Sequence, residues 1–120
     1  MSDFENMFEP NSKALKMGLI LREMVYQSFQ NIEETIGGGA KVKLALYSRG
    51  GKKNVLCGIQ KGAGDSCMLY VHHVESINHD RLQFSGKGKH AKRIKFSNVQ
   101  DIIKEDIEWL FCQVNQNSPY

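Results

Sequence analysis

Polar and apolar positions change period twice along this chain. Leu15, Leu19, Met24, Phe29 and Ile32 recur near helical spacing, and Ile20, Leu21 and Val25 widen the stripe. Asn11 or Ser12 can cap the start by accepting a bond from a free backbone N–H. Gly18 weakens the pattern without ending it, and Gly37-Gly38-Gly39 stops it. The spacing predicts a first helix from about Ser12 into the early thirties. Residues 1–11 have no clear period and read as a loose arm, on which Phe4 and Phe8 could still dock.

The middle of the chain has a period of two. Val42, Leu44 and Leu46 alternate with Lys41, Lys43 and Ala45. Arg49-Gly50-Gly51-Lys52 is a turn, and Val55 to Gln60 is the returning strand of a hairpin. Gly62-Ala63-Gly64-Asp65 is a second turn, and Cys67 to Val74 a third strand rich in β-formers. Glu75 to Arg81 is polar and irregular. Leu82-Gln83-Phe84 leads into a glycine-lysine turn, and Lys92 to Phe96 is a last strand.

The period then returns to helical. Ser97 or Asn98 can cap a segment in which Ile107, Leu110, Phe111 and Val114 fall at i, i+3, i+4 and i+7. Val99, Ile102 and Ile103 extend the stripe backwards, and residues 115–120 read as a frayed tail. The order is helix, antiparallel meander, helix. This predicts an α+β fold: a two-layer sandwich whose sheet of about five strands carries both helices on one face. Residues 12–114 form the single domain.

Composition changes this picture little. At 120 residues the chain can bury a core without metals or disulfides. No apolar run approaches a membrane span, and the acidic start lacks the order of a signal peptide; both point to the cytoplasm. Cys57, Cys67 and Cys112 are odd in number and form no CxxC pair, so they read as free thiols, mainly buried. A net charge of +3 supports solubility and by itself selects no partner.

Charge distribution is more informative. Lys87, Lys89, Lys92, Arg93 and Lys95 are five of the sixteen basic residues, within Gly86–Phe96. The run starts in glycines and ends as a strand, with Ile94 and Phe96 on one side and Arg93 and Lys95 on the other. Glycines let backbone N–H groups converge on an anion, and Arg93 adds a planar fork suited to phosphate or carboxylate. Lys87, Lys89, His90, Arg93 and Lys95, with Tyr47, are the candidate ligand-binding residues. The plain alternative is an edge strand whose lysines prevent sheet-to-sheet aggregation. The run is not a P-loop, since GxxxxGK[ST] is absent.

Other constellations carry less. His72 and His73 are adjacent on a strand and point to opposite faces, so both cannot easily hold one ion. A set of His73, Glu75 and His79 matches no established ligand spacing. Cys57 or Cys67 with His90 has no spacing that brings thiol and imidazole together. Lys41, Lys43, Arg49, Lys52, Lys53 and Lys61 could join the 87–95 cluster beside Tyr47 and Tyr70 as a weak single-stranded nucleic-acid surface, though no nucleic-acid motif is present.

Three pieces carry a family resemblance. They are Tyr47 with Gly51-Lys52 and the strand to Ile59; Leu82-Gln83-Phe84-Ser85-Gly86-Lys87-Gly88-Lys89 with Arg93-Ile94-Lys95-Phe96; and Asn98-Val99-Gln100-Asp101-Ile102 before the last helix. Over about residues 15–114 the chain resembles the YdhG-like group of small bacterial domains, related in fold to the frataxins. The family's Trp-Gly-x-Pro-x-Tyr stretch is replaced here by Val42 to Tyr47, of which only Tyr47 remains. The resemblance implies the same two-layer fold. One branch of that group resembles an iron chaperone, which would need exposed acids near the first helix; the candidates are Glu23, Glu33 and Glu34, with Asp3, Glu5 and Glu9 in the arm. The basic charge balance argues against iron. The sequence therefore reads as a cytoplasmic binding module rather than an enzyme, without a cofactor, taking a small anionic ligand or an acidic partner at the 86–95 edge.

Overall fold

A computed structural model describes residues 3–38, 43–74, 77, 79–85 and 91–120. Helix α1 spans Lys13–Ser28 and helix α2 spans Lys104–Asn117. Between them run β1 (Glu33–Gly38), β2 (Lys43–Ser48), β3 (Val55–Lys61), β4 (Cys67–His72) and β5 (Ala91–Phe96). The strands form one antiparallel sheet in the order β1-β2-β3-β4-β5. Both helices pack on one face, as the α+β sandwich requires.

The first helix is shorter than its sequence pattern suggests. It ends at Ser28, where Phe29 turns extended and buries its ring 5.2 Å from that of Phe111 on α2. Asn31 follows with φ 57°, and the chain enters β1. Glu33 and Glu34 therefore lie on a strand, not on helix 1, and Gly37-Gly38 continue that strand instead of stopping a helix. The strand β1 has poor β-propensity; it is held by its register with β2, from Glu33↔Ser48 to Gly38↔Lys43.

Capping fixes where α1 starts. Ser12 accepts from the Leu15 N–H at 3.1 Å. Asp65, from the turn before β4, accepts from Lys13 N–H at 3.1 Å and Ala14 N–H at 2.8 Å. A carboxylate is well placed at a helix N-terminus, and those two backbone N–H groups hold its pKa below the ordinary value. This bond ties the β3–β4 turn to the helix layer. The arm is docked: Phe4 and Phe8 are both buried. Gly18 permits this, because a Cβ there would stand 2.9 Å from the Phe8 ring.

The core lies between helices and sheet. Ile107, Leu110, Phe111 and Val114 are fully buried, and so are Met17, Leu21 and Val25 of α1. From the sheet come Ala45, Tyr47, Cys57, Ile59, Cys67, Leu69, Val71, Ile94 and Phe96. The end of the chain is held as well as the start. Helix α2 continues to Asn117, and the Tyr120 hydroxyl donates to the Val55 carbonyl at 3.3 Å, so residues 115–120 are a docked segment rather than a frayed one. None of the described helices is long and apolar enough to cross a membrane.

Candidate functional site

The pleat sorts the sheet into two faces. Cross-strand partners share a face, so Thr35, Leu46, Gly58, Tyr70 and Arg93 form one row across the sheet. Gly37, Leu44, Gln60, Met68 and Lys95 form the next. Neither row contributes a side chain to the buried core; both lie on the face away from the helices. A solvated antiparallel face usually carries polar residues. Here Leu44, Leu46, Met68 and Tyr70 are only half-buried, a patch of apolar surface across β2 and β4.

Arg93 and Lys95 border that patch. Both are exposed, side by side on β5, two strand rises or ~6.7 Å apart. Arg93 pairs across with Tyr70, and Lys95 with Met68. Among the described residues the ion pairs are Arg22–Glu34, His79–Asp106 and Arg81–Asp106; neither Arg93 nor Lys95 takes part in one, although Lys95 lines a cleft with Asp101 and Asp106. The Tyr70 hydroxyl donates to Gln60 Oε1 at 2.6 Å, which ties the ring diagonally over the sheet. Arg93 is also fixed in backbone, exchanging two hydrogen bonds with Ser85, at 2.9 and 3.1 Å. That bridge holds Ser85 against β5.

Of the residues proposed from sequence, Arg93 and Lys95 come together on this border. Lys87, Lys89 and His90 lie outside the described residues, as do Gly86 and Gly88. Tyr47 does not belong with the others. It lies on β2, separated from β5 by two strands, is fully buried, and points into the helix-covered side. Its hydroxyl donates to Glu34 Oε2 at 2.7 Å. The alternation signal was present but ambiguous: Leu44 and Leu46 look like the core row, while Ala45 and Tyr47 occupy it.

The acids considered for iron are separated by the fold. Glu34 accepts from Arg22 Nε at 2.6 Å and Arg22 Nη2 at 3.0 Å, besides Tyr47. Burial alone would raise the Glu34 pKa, but the bonds from Arg22 and Tyr47 outweigh it and leave it lowered. The same contacts work on the partners: the hydrogen bond to Glu34 raises Arg22, and burial followed by the bond to Glu34 raises Tyr47. Glu33, next along the strand, points to the opposite face and is exposed. Glu23 on α1 is exposed and accepts from Gln27 at 3.4 Å. Among the described residues no three His, Cys, Asp or Glu side chains converge on a point that could hold a metal ion.

The histidines are likewise placed singly. His73 has φ 64° where β4 ends, and its Nε2 lies 3.1 Å from the Tyr120 hydroxyl. His79 packs 4.8 Å from the Trp109 ring. Its Nδ1 accepts from the Arg81 N–H at 3.1 Å, leaving Nε2 to face Asp106 at 3.6 Å. Glu75 lies outside the described residues. The thiols of Cys57 and Cys67 are buried, and burial raises both, Cys67 to about 12, so neither is a nucleophile near neutrality. Cys112, by contrast, is exposed.

Sequence reasoning missed one feature beside the site. Asp106, buried at the start of α2, is gripped by Arg81, whose Nε donates to Oδ2 at 2.8 Å and whose Nη2 donates to Oδ1. The hydrogen bond from Arg81 holds Asp106 below the ordinary carboxylate range. The pair is 25 residues apart with no periodic signal. It anchors the irregular segment before the Ser85 bridge, and so the approach to β5. Compared with protein-family models, curated proteins and solved structures, the chain finds no match.

Proposed function

We propose that this protein is a binding module for an anionic ligand or acidic partner, engaged at the β5 border of the open sheet face. One observation carries the proposal: Arg93 and Lys95 stand exposed, and without an ion pair among the described residues, beside an apolar, aromatic surface. Two adjacent cations repel each other, and an anion placed between them relieves that repulsion. The neighbouring Tyr70 and Met68 add contact area that a purely solvated edge would not need. Lys87, Lys89 and His90 precede β5 directly in sequence and extend the same cationic run. The motifs shared with the YdhG-like domains, and a cytoplasmic location, belong to this same proposal.

The test is a melting series. Sulfate or phosphate at millimolar concentration raises the melting temperature more than chloride at equal ionic strength, because a ligand of the native state stabilises it by mass action. Sulfate also stabilises by exclusion from protein surfaces, so the control is the double variant Arg93→Ala, Lys95→Ala. The variant is expected to lose the sulfate-specific part. Equal gains in variant and parent would mean that β5 is a soluble edge without an anion site.

A further inference from the structure

We infer that the anion taken by this face is a single-stranded nucleic acid, its bases lying over Tyr70 and the apolar patch and its phosphates running along Arg93 and Lys95. This rests on the reading of the β5 border given above and names the partner class.

Three observations favour that class. The first is the pairing of chemistries: the open face sets a flat apolar surface beside a cationic border, and a single strand has flat bases along one side and regular negative charge along the other. The second is Tyr70. Its hydroxyl is tied to Gln60 at 2.6 Å, which fixes the ring and lowers the entropy cost of using it as a stacking platform. Its neighbour across the sheet on one side is Gly58, which has no side chain to stand up beside the ring; on the other side is Arg93. The third is spacing. Arg93 and Lys95 are two strand rises apart, ~6.7 Å, comparable with the step between successive phosphates of an extended strand.

Gly58 is fixed by close packing. A Cβ there would lie 3.0 Å from the Ala45 carbonyl oxygen, with Leu46 and Leu44 at 3.3 and 3.4 Å. The leucines thus lean towards the glycine and level the surface next to Tyr70. An acidic peptide could match the cations, but it has no regular array of flat rings to use this surface. Stacking tolerates any base, so the expected binding is weak in sequence preference and steep in salt dependence.

The experiment is fluorescence anisotropy with labelled oligo-dT and oligo-U of about eight nucleotides, a length typical of small single-strand sites. An abasic strand of equal length, inorganic polyphosphate and a poly-glutamate peptide serve as competitors. The base-bearing strands are expected to bind about ten-fold or more tightly than the abasic strand. Tyr70→Phe, which keeps the ring but frees it from Gln60, is expected to reduce that preference in part, and Tyr70→Ala to lose it while polyphosphate binding is unchanged. Arg93→Ala with Lys95→Ala is expected to weaken every polyanion. Should abasic and base-bearing strands bind alike and Tyr70→Ala change nothing, the nucleic-acid inference fails while the anion site stands. A poly-glutamate peptide that binds more tightly than the strands would assign the face to an acidic protein. If the double variant alters no polyanion, both the inference and the anion site fail.

Discussion

The two faces of this sheet follow opposite rules. On the helix side every strand from β2 to β5 contributes fully or nearly fully buried residues, from Ala45 and Tyr47 to Ile94 and Phe96. On the other side the same strands present half-buried Leu44, Leu46, Met68 and Tyr70, and exposed Arg93 and Lys95. Packing explains the first set: these residues share one buried core with those of the two helices. It does not explain the second, since a solvated face has no need of leucine, methionine and tyrosine. Where folding does not account for an apolar surface, binding is the next explanation to test.

The comparison breaks most visibly at Phe111. It is fully buried, 5.2 Å from Phe29, at the junction of α2 with α1 and the sheet. Phe111→Ala is expected to cost about 3–5 kcal/mol of unfolding free energy in urea titrations, the usual penalty for deleting a core aromatic. A loss below about 1 kcal/mol would show that the helix layer is not the core described here.

The second largest effect is at the Arg22–Glu34–Tyr47 cluster, where the sealed side reaches the sheet edge. Glu34→Gln leaves a guanidinium and a buried hydroxyl with a weaker acceptor. Hydrogen bonds to charged groups contribute about 1.5–3 kcal/mol, and partial exposure of Arg22 pulls the expected loss towards the lower end. The pH dependence has a defined sign. Hydrogen bonds hold Glu34 below its ordinary pKa in the folded state despite its burial. Its contribution is therefore complete above the unfolded value, near ~4.3, and is lost as pH falls through the folded value. Glu34→Gln should flatten part of the acid limb and leave the part due to Asp106, which is also lowered. An unchanged acid limb in melting curves would remove Glu34 from this role.

These two sites also show what the chain reveals before folding. The stripe Ile107, Leu110, Phe111, Val114 was plain, because a helical period needs no tertiary information. So was the alternation in Arg93 to Phe96. By contrast β1 was unreadable: Glu33-Glu34-Thr35-Ile36-Gly37-Gly38 has neither apolar alternation nor β-formers in quantity. It is a strand because β2 offers it partners and because Arg22 and Tyr47 hold Glu34. The position of Tyr47 failed for a related reason. Period two shows that a strand has two faces but not which face is covered, and leucines on the open face made the wrong one look like core. Arg93 and Lys95 could be singled out because their charge is local in sequence, whereas the Arg81–Asp106 pair is joined only by the fold.

A smaller change sharpens the contrast on the open face. Leu46 is half-buried beside Gly58. Replacing it with threonine keeps β-propensity and removes apolar area from a solvated surface. The expected cost is below about 1 kcal/mol, since the residue is partly exposed in the native state already. A cost comparable to that of Phe111→Ala would mean that this face is covered in solution, and sedimentation at varied protein concentration would then reveal a self-association that Leu46→Thr abolishes.

The smallest stability effect is expected where the functional effect is largest. Arg93 and Lys95 make no ion pair among the described residues, and their side chains are exposed. Arg93→Ala, Lys95→Ala should change unfolding free energy by no more than about 0.5 kcal/mol, as surface substitutions do. Removing mutual repulsion could even make the change favourable. Retention on a heparin column should fall at the same time, and the salt dependence of polyanion binding should flatten by about two charges' worth, roughly 0.7–0.9 in log–log slope for each neutralised phosphate contact. On the proposed reading, stability and binding separate by face: helix-side residues are expected to govern the first, and the β5 border the second. A double variant that unfolds at markedly lower denaturant with unchanged heparin retention would reverse that assignment, making Arg93 and Lys95 part of the scaffold and leaving the open face without a demonstrated partner.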